Sequence, residues 1–288
     1  MNTSLDTSNA SDATTLSRPA SSVAARPMLP PITDGSGIRW AIQDTLSMTW
    51  RNLTTIRRVP QLLVFGVVQP VIFVLMFRYV FGGAITVPGA SYVDFLMPGI
   101  FVQTVSFGAI NTAVGLAEDK NKGLLERLRS LPMSRSAVLG GRVFADTVRN
   151  VFIIVLMLLI GFAVGFRTHT NVVMVIAGIG VLVLFGLALA WLFALIGLSV
   201  TNGEAAQAAA FPIMAPLVFA SNAFVDPSSM PGWLQAWARH QPVSAAADAM
   251  RACVLGGPTA SKVLISVAWS LGIAAVLAPI AVRRYRRT

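Results

Sequence analysis

Few side chains in this sequence are placed to make or break bonds, and those few do not converge. His169 and His240 stand far apart, and no serine, cysteine or carboxylate at motif spacing joins either of them. A nucleophile–base pair is therefore not expected, and no residue is nominated as catalytic. Cys253 is the only cysteine, which excludes an intrachain disulfide and a thiolate metal cluster; no metal site is expected. The phosphate-cradling pattern Gly-x-x-x-x-Gly-Lys-Ser/Thr does not occur, so the chain has no nucleotide loop of its own.

The chemistry that the spacing does support is recognition by apolar and charged faces. In the segment Gly123-Leu124-Leu125-Glu126-Arg127-Leu128-Arg129-Ser130-Leu131-Pro132 the leucines recur at helical offsets, with Glu126, Arg127 and Arg129 on the other face. Pro132 stops the helix. Such a short amphipathic helix suits docking into a groove on a soluble partner, or lying flat on a membrane; composition leaves the two even. Arg142, Asp146 and Arg149 recur at offsets of four and three and share one helix face, where Asp146 can pair with either arginine. Support of the structure by salt bridges is favoured there over direct partner contact. Asp248 and Arg251 form a further i, i+3 pair, expected to pair or to face solvent because an unpaired charge in hydrocarbon costs roughly 2.5–3.5 kcal/mol or more.

The elements that must carry these residues follow from composition. Of 288 residues 55% are hydrophobic and 12% charged, with a mean hydropathy of +0.70. A soluble domain carries about 25% charged residues, so a bilayer is the expected solvent. Residues 1–37, rich in Ser, Thr, Ala and Pro, are expected to form a disordered cytoplasmic leader. They contain no apolar run of signal-peptide kind. From Ile38 to Arg58, Trp40, Ile42, Leu46, Trp50, Leu53 and Ile56 alternate with arginines, the pattern of an amphipathic interfacial helix. Charge-poor stretches then predict spans over about 59–80, 95–117, 138–166, 172–198, 205–225 and 263–282. The fold class is thus an all-α membrane protein of six transmembrane helices, with residues 38–288 as one transmembrane domain. Trp233 and Trp237 mark a helix half sunk in the outer interface.

Six spans put both termini on one side. With that side inside, 17 of the 22 Lys and Arg residues fall in the inner parts and 5 in the outer ones, the asymmetry that orients membrane proteins. The net charge of +10 is then explained by anionic inner-leaflet lipid, and no nucleic acid is needed. Charges within the spans are nearly absent by this reading, which disfavours ion-coupled transport.

At this point three segments carry a resemblance. Gly123 through Arg135, followed by Gly141-Arg142-Val143 and Asp146, is similar to the cytoplasmic loop of type-2 ABC exporter permeases, in particular the daunorubicin-resistance (DrrB-like) branch. Gln241-Pro242-Val243-Ser244 with Arg251 nine residues after the proline is similar to a second family segment, and Met97-Pro98-Gly99-Ile100 to a third. Pro98, Gly99, Pro132, Pro242 and Arg251 are the motif positions, and the similarity covers roughly residues 40–288. The resemblance implies the membrane half of an exporter in the bacterial inner membrane. It further implies a second permease copy, as homodimer or related heterodimer, and two copies of a separate ATP-binding cassette subunit. Gly123, Leu124, Leu125, Glu126, Arg127 and Leu128 would couple to that ATPase. ATP and Mg would reside on the partner, with no cofactor on this chain. The cargo implied is a hydrophobic or amphipathic drug, antibiotic or lipid. A secondary, ion-coupled transporter, a membrane-embedded enzyme and a non-transporting scaffold or immunity protein are the competing readings.

Overall fold

The computed structural model describes residues 38–58, 61–81, 91–129 and 135–287. The leader expected over 1–37 and Pro132 lie outside them, as do the side chains of Glu126 and Leu128. Every regular element among the described residues is helical. In chain order these are α1 (Ile38–Arg58), α2 (Gln61–Met76), α3 (Tyr92–Asn121), α4 (Leu124–Arg129), α5 (Arg135–Val164), α6 (Val172–Ser199), α7 (Gly203–Phe219), α8 (Gly232–His240), α9 (Pro242–Leu255) and α10 (Thr259–Arg287).

The placement of these helices follows from which of them has an apolar surface on all sides. α3 is 30 residues long, about 45 Å at 1.5 Å per residue, and 83% of its most apolar stretch is buried. It is the central stave, with α5, α6, α7 and α9 packed around it. α10 is the opposite case: only 11% of its apolar stretch is buried, because it covers α6 and α9 from outside and turns Leu264, Leu271 and Val276 outward. Helices in lipid approach closely where small residues meet. A Cβ at Gly197 would lie 2.5 Å from the Ala113 carbonyl oxygen, so α6 lies backbone against backbone on α3.

Four helices, α3, α5, α6 and α10, are long and apolar enough to cross a membrane. α2 is shorter and continues as a π-helical turn, Phe77–Phe81. α7 has 17 residues, and here the structure corrects the span expected over 205–225. The helix stops at Phe219, and Ser221 and Asn222 fold back under it, buried. The cause is polar: the Ala220 carbonyl accepts from Gln241 Nε2 at 2.7 Å and the Asn222 carbonyl from Arg251 at 2.6 Å, so these carbonyls bond side chains and do not extend the helix. In α9 the pairing expected of Asp248 and Arg251 is present at 3.6 Å, and the helix is buried along Ala246, Ala247, Met250, Cys253 and Val254, because its alanines let α3, α6 and α10 close on it.

At the end of the bundle that carries α4, one apolar cluster draws on most of the chain. Met48 of α1, Leu116 of α3, Leu125 of α4, Val138 and Leu139 of α5, Leu198 of α6 and Tyr285 of α10 are all buried in it. The first and last described helices therefore reach the same end of the bundle. α1 turns Ile42, Leu46 and Trp50 outward and keeps Met48, Thr49 and Asn52 inside, so large apolar side chains stand on its exposed face, beside Gln43 and Ser47.

Candidate functional site

α4 is detached from α3 by Gly123, whose φ of 66° lies in the left-handed region that glycine enters without a Cβ penalty. The Gly123 N–H still donates to the Lys120 carbonyl at 3.0 Å, closing the turn. Of the six residues nominated for partner docking, Leu125 points inward and is 4% exposed. Leu124 is half-buried and Arg127 exposed. A leucine that anchors α4 to its own bundle is not at the same time an anchor in a partner's groove, so Leu125 seats this hairpin in the apolar cluster shared by α1, α3, α5, α6 and α10. Lys120, which spacing did not single out, reinforces the tie. Its Nζ donates to the carbonyls of Leu198 and Val200 at 3.1 and 3.2 Å, where a cation suits the negative end of α6.

Arg142, Asp146 and Arg149 do share a face, and that face is pressed against α3. Asp146 is 2% exposed. It receives Arg142 Nε at 3.5 Å, Arg149 Nη1 at 3.1 Å and the Thr112 hydroxyl at 2.6 Å. Arg142 reaches on to Asp119 at 3.5 Å, and Arg149 donates to the Gly108 carbonyl at 2.9 Å. Gly115 leaves the room for Arg142: a Cβ there would fall 1.4 Å from its guanidinium. The result is a ladder of charge along α3 from Asp119 to Gly108.

Gly108 lies near the midpoint of α3, so Arg149 sits well inside the span. The expectation that spans carry almost no charge is thereby corrected. The ladder survives at that depth because each charge is paired and the remaining polar atoms are hydrogen-bonded, the condition for burying ions at all. Its open side is a cavity of about 470 Å³ reached by Asn52, Asn111, Val114, Glu118, Leu124 and Arg142. A signal for this face was present in the sequence: Thr104, Gly108, Asn111, Gly115 and Asp119 follow one another at offsets of four and three, a polar and small stripe down an otherwise apolar helix.

At the opposite end Arg251 joins three segments. Its Nε donates to the Phe95 carbonyl at 3.1 Å, its Nη2 to the carbonyls of Asn222 and Ala223 at 2.6 and 2.9 Å, and its guanidinium lies 3.9 Å from the centre of the Phe95 ring. Asp248 stands 3.6 Å away and is shared with Lys262 at 2.8 Å and Asn222 at 2.6 Å. Gly99 packs on the Ala223 backbone, where a Cβ would come within 1.8 Å of the carbonyl oxygen. Pro98 is buried within α3 one residue before that contact, and Pro242 opens α9 as its first residue. Gly99 and Arg251 thus meet on one short stretch, Asn222–Ala223, their role here being to hold the α7–α9 return against α3. The hydroxyl of Thr112 does meet a carboxylate, but Asp146 is there held by two arginines, and no group of three or more metal-binding side chains occurs among the described residues.

Comparison with known proteins gives a consistent picture. The model of the ABC-2 type transporter family matches residues 43–255, a stretch that includes α4, the ladder and Arg251. The chain is 35% identical over 246 residues to the daunorubicin resistance ABC transporter permease protein DrrB1 of Streptomyces coeruleorubidus, covering 85% of this chain and 87% of that one. It is 31% identical over 251 residues to the probable doxorubicin resistance ABC transporter permease protein DrrC of Mycobacterium tuberculosis, covering 86% and 90%. A putative transport permease, ycf38 of Cyanophora paradoxa, is 26% identical over 198 residues, covering 67% and 68%.

Proposed function

The chain belongs to the ABC-2 type transporter family, and from that premise we propose that it is the membrane-spanning permease subunit of an exporter for amphipathic drugs, driven by a separate ATP-binding subunit. The observation that carries the mechanism is the position of α4. Leu125 seats this short helix in an apolar cluster to which α1, α3, α5, α6 and α10 all contribute, and Lys120 at the end of α3 ties the turn before it to α6, so a push on its exposed side is passed to the bundle and not to one loop. Arg127, with Glu126 and Leu128, forms the contact to the ATPase in this reading, while Leu125 carries the force inward. ATP and Mg belong to the partner, of which two copies serve a dimer of permeases in the bacterial inner membrane. α2 and α7 complete six crossings, and the α4 end is cytoplasmic, in keeping with the basic residues gathered there.

Ion-coupled transport is the competing reading that Asp146 invites, since a carboxylate at depth can relay protons. Two arginines and Thr112 hold it in place, which makes it a structural counter-ion and not a carrier.

The test uses the full chain co-expressed with its ATP-binding subunit and reconstituted in vesicles. Arg127→Glu is expected to reduce ATP-driven daunorubicin export at least tenfold while the amount of protein inserted in the membrane falls far less. Undiminished export overturns the assignment of α4, and export driven by a proton gradient without ATP overturns the class.

A further inference from the structure

Beyond the last rung of the charge ladder, between α2, α3 and α5, lies a second and smaller cavity of about 80 Å³. Gln69 of α2, Gln103, Thr104, Phe107 and Asn111 of α3 and Arg149 of α5 line it. Asn111 and Arg149 also border the larger cavity, so the two are neighbours along one face of α3. One atom here is anomalous. Gln103 is 3% exposed, and its Oε1 has no hydrogen-bond partner. A buried amide oxygen without a donor is destabilising and rare in folded proteins. It sits at mid-helix, far from either end of α3, in an otherwise satisfied polar setting: Thr104 donates to the Ile100 carbonyl and Asn111 to the Gly108 carbonyl.

The same surroundings decide what the niche can hold. Arg149 is the only cation in its lining among the described residues, and its charge is balanced by Asp146, with Nη2 donating to the Gly108 carbonyl. An anionic group therefore finds no counter-charge, whereas an O–H or N–H finds a waiting acceptor. The volume is about half that of a void able to enclose benzene, enough for a head of a few heavy atoms and too small for a fused ring system. Phe107 offers one apolar wall, and outside the niche α2 exposes Val68 and Ile72 to an apolar body.

We propose that this niche is a way-station for the hydrogen-bond-donating head of the transported amphiphile, with Gln103 Oε1 as the acceptor and the apolar body left along α2. Cargo then climbs one protomer's α3 from the charged cavity to mid-membrane, and amphiphiles with neutral hydroxyl or amide N–H heads are selected over those with carboxylate or phosphate heads. The inference rests on the permease reading above and adds the class of head group to it.

The probe is daunorubicin, whose sugar carries hydroxyl and ammonium donors. Its binding to the full chain in lipid nanodiscs is read by drug fluorescence, and ATP-driven export is measured in parallel with the partner subunit present. Gln103→Met keeps the shape and removes the amide acceptor, and is expected to weaken binding about tenfold, the worth of one good hydrogen bond. Gln103→Glu retains an acceptor and is expected to bind at least as tightly as the unsubstituted chain, which also covers the case of a Met variant that does not fold. Equal affinity of the unsubstituted and Met chains, or tenfold weakening by Glu as well, overturns the niche while export by the unsubstituted chain leaves the permease reading intact. Absence of both binding and export in the unsubstituted chain overturns both.

Discussion

A single carboxylate decides how much charge this bundle tolerates. With Asp146 changed to Asn, Arg142 and Arg149 lose the partner they share, and breaking a buried ion pair from one side costs about 3–5 kcal/mol. Thr112→Val removes one bond to the same oxygen and is expected to cost about 1.5–3 kcal/mol, the range for hydrogen bonds to a charged group. Because Thr112 acts through Asp146, the double variant should be little worse than Asp146→Asn alone, a non-additivity read from unfolding midpoints in detergent. Arg251 responds differently: a lysine there keeps a charge near Asp248 but has no planar fork to reach Phe95, Asn222 and Ala223 at once, and Arg251→Lys is expected to destabilise nearly as much as Arg251→Ala. How legible these sites were depends on locality. Offsets of three and four put Arg142, Asp146 and Arg149 on one face from sequence alone, whereas Thr112, the α3 side of the pairing, is fixed only by which helices pack together.

Elements were easier to find than to place at depth. Hydropathy locates α3, α5, α6 and α10 because each exceeds the thickness of a bilayer, and it is silent on the burial of α9, where the small size of the alanines lets neighbouring helices close. It also runs α7 on past Phe219, since the carbonyls that end the helix are taken by Gln241 and Arg251 from far along the chain. Packing by small residues gives a test at this scale. Gly99→Ala and Gly197→Ala put a methyl group into opposing backbone and are expected to lower the unfolding midpoint sharply. At Gly180 nothing lies within 4 Å, and alanine there is expected to be neutral or stabilising by up to about 1 kcal/mol from helix propensity. Equal effects at the three positions would mean that α6 and the Asn222–Ala223 stretch do not approach α3 as closely as described.

For the molecule as a whole, the arrangement of ends matters more than any one span. An even number of spans predicted that the first and last helices share a side, and the cluster of Met48, Leu125 and Tyr285 gives that prediction a physical contact that no hydropathy profile contains. Tyr285→Ala opens a hole beneath α4 and is expected to cost about 3–5 kcal/mol, with drug export falling more steeply than the amount of inserted protein; equal losses of both would make the residue a matter of stability alone. Tyr285 has a further consequence. Met48 and Tyr285 lie far apart along the chain and meet only in the closed cluster, so the seat of α4 is finished only when both of these outlying helices have packed, and loosening either one leaves the short helix without a floor.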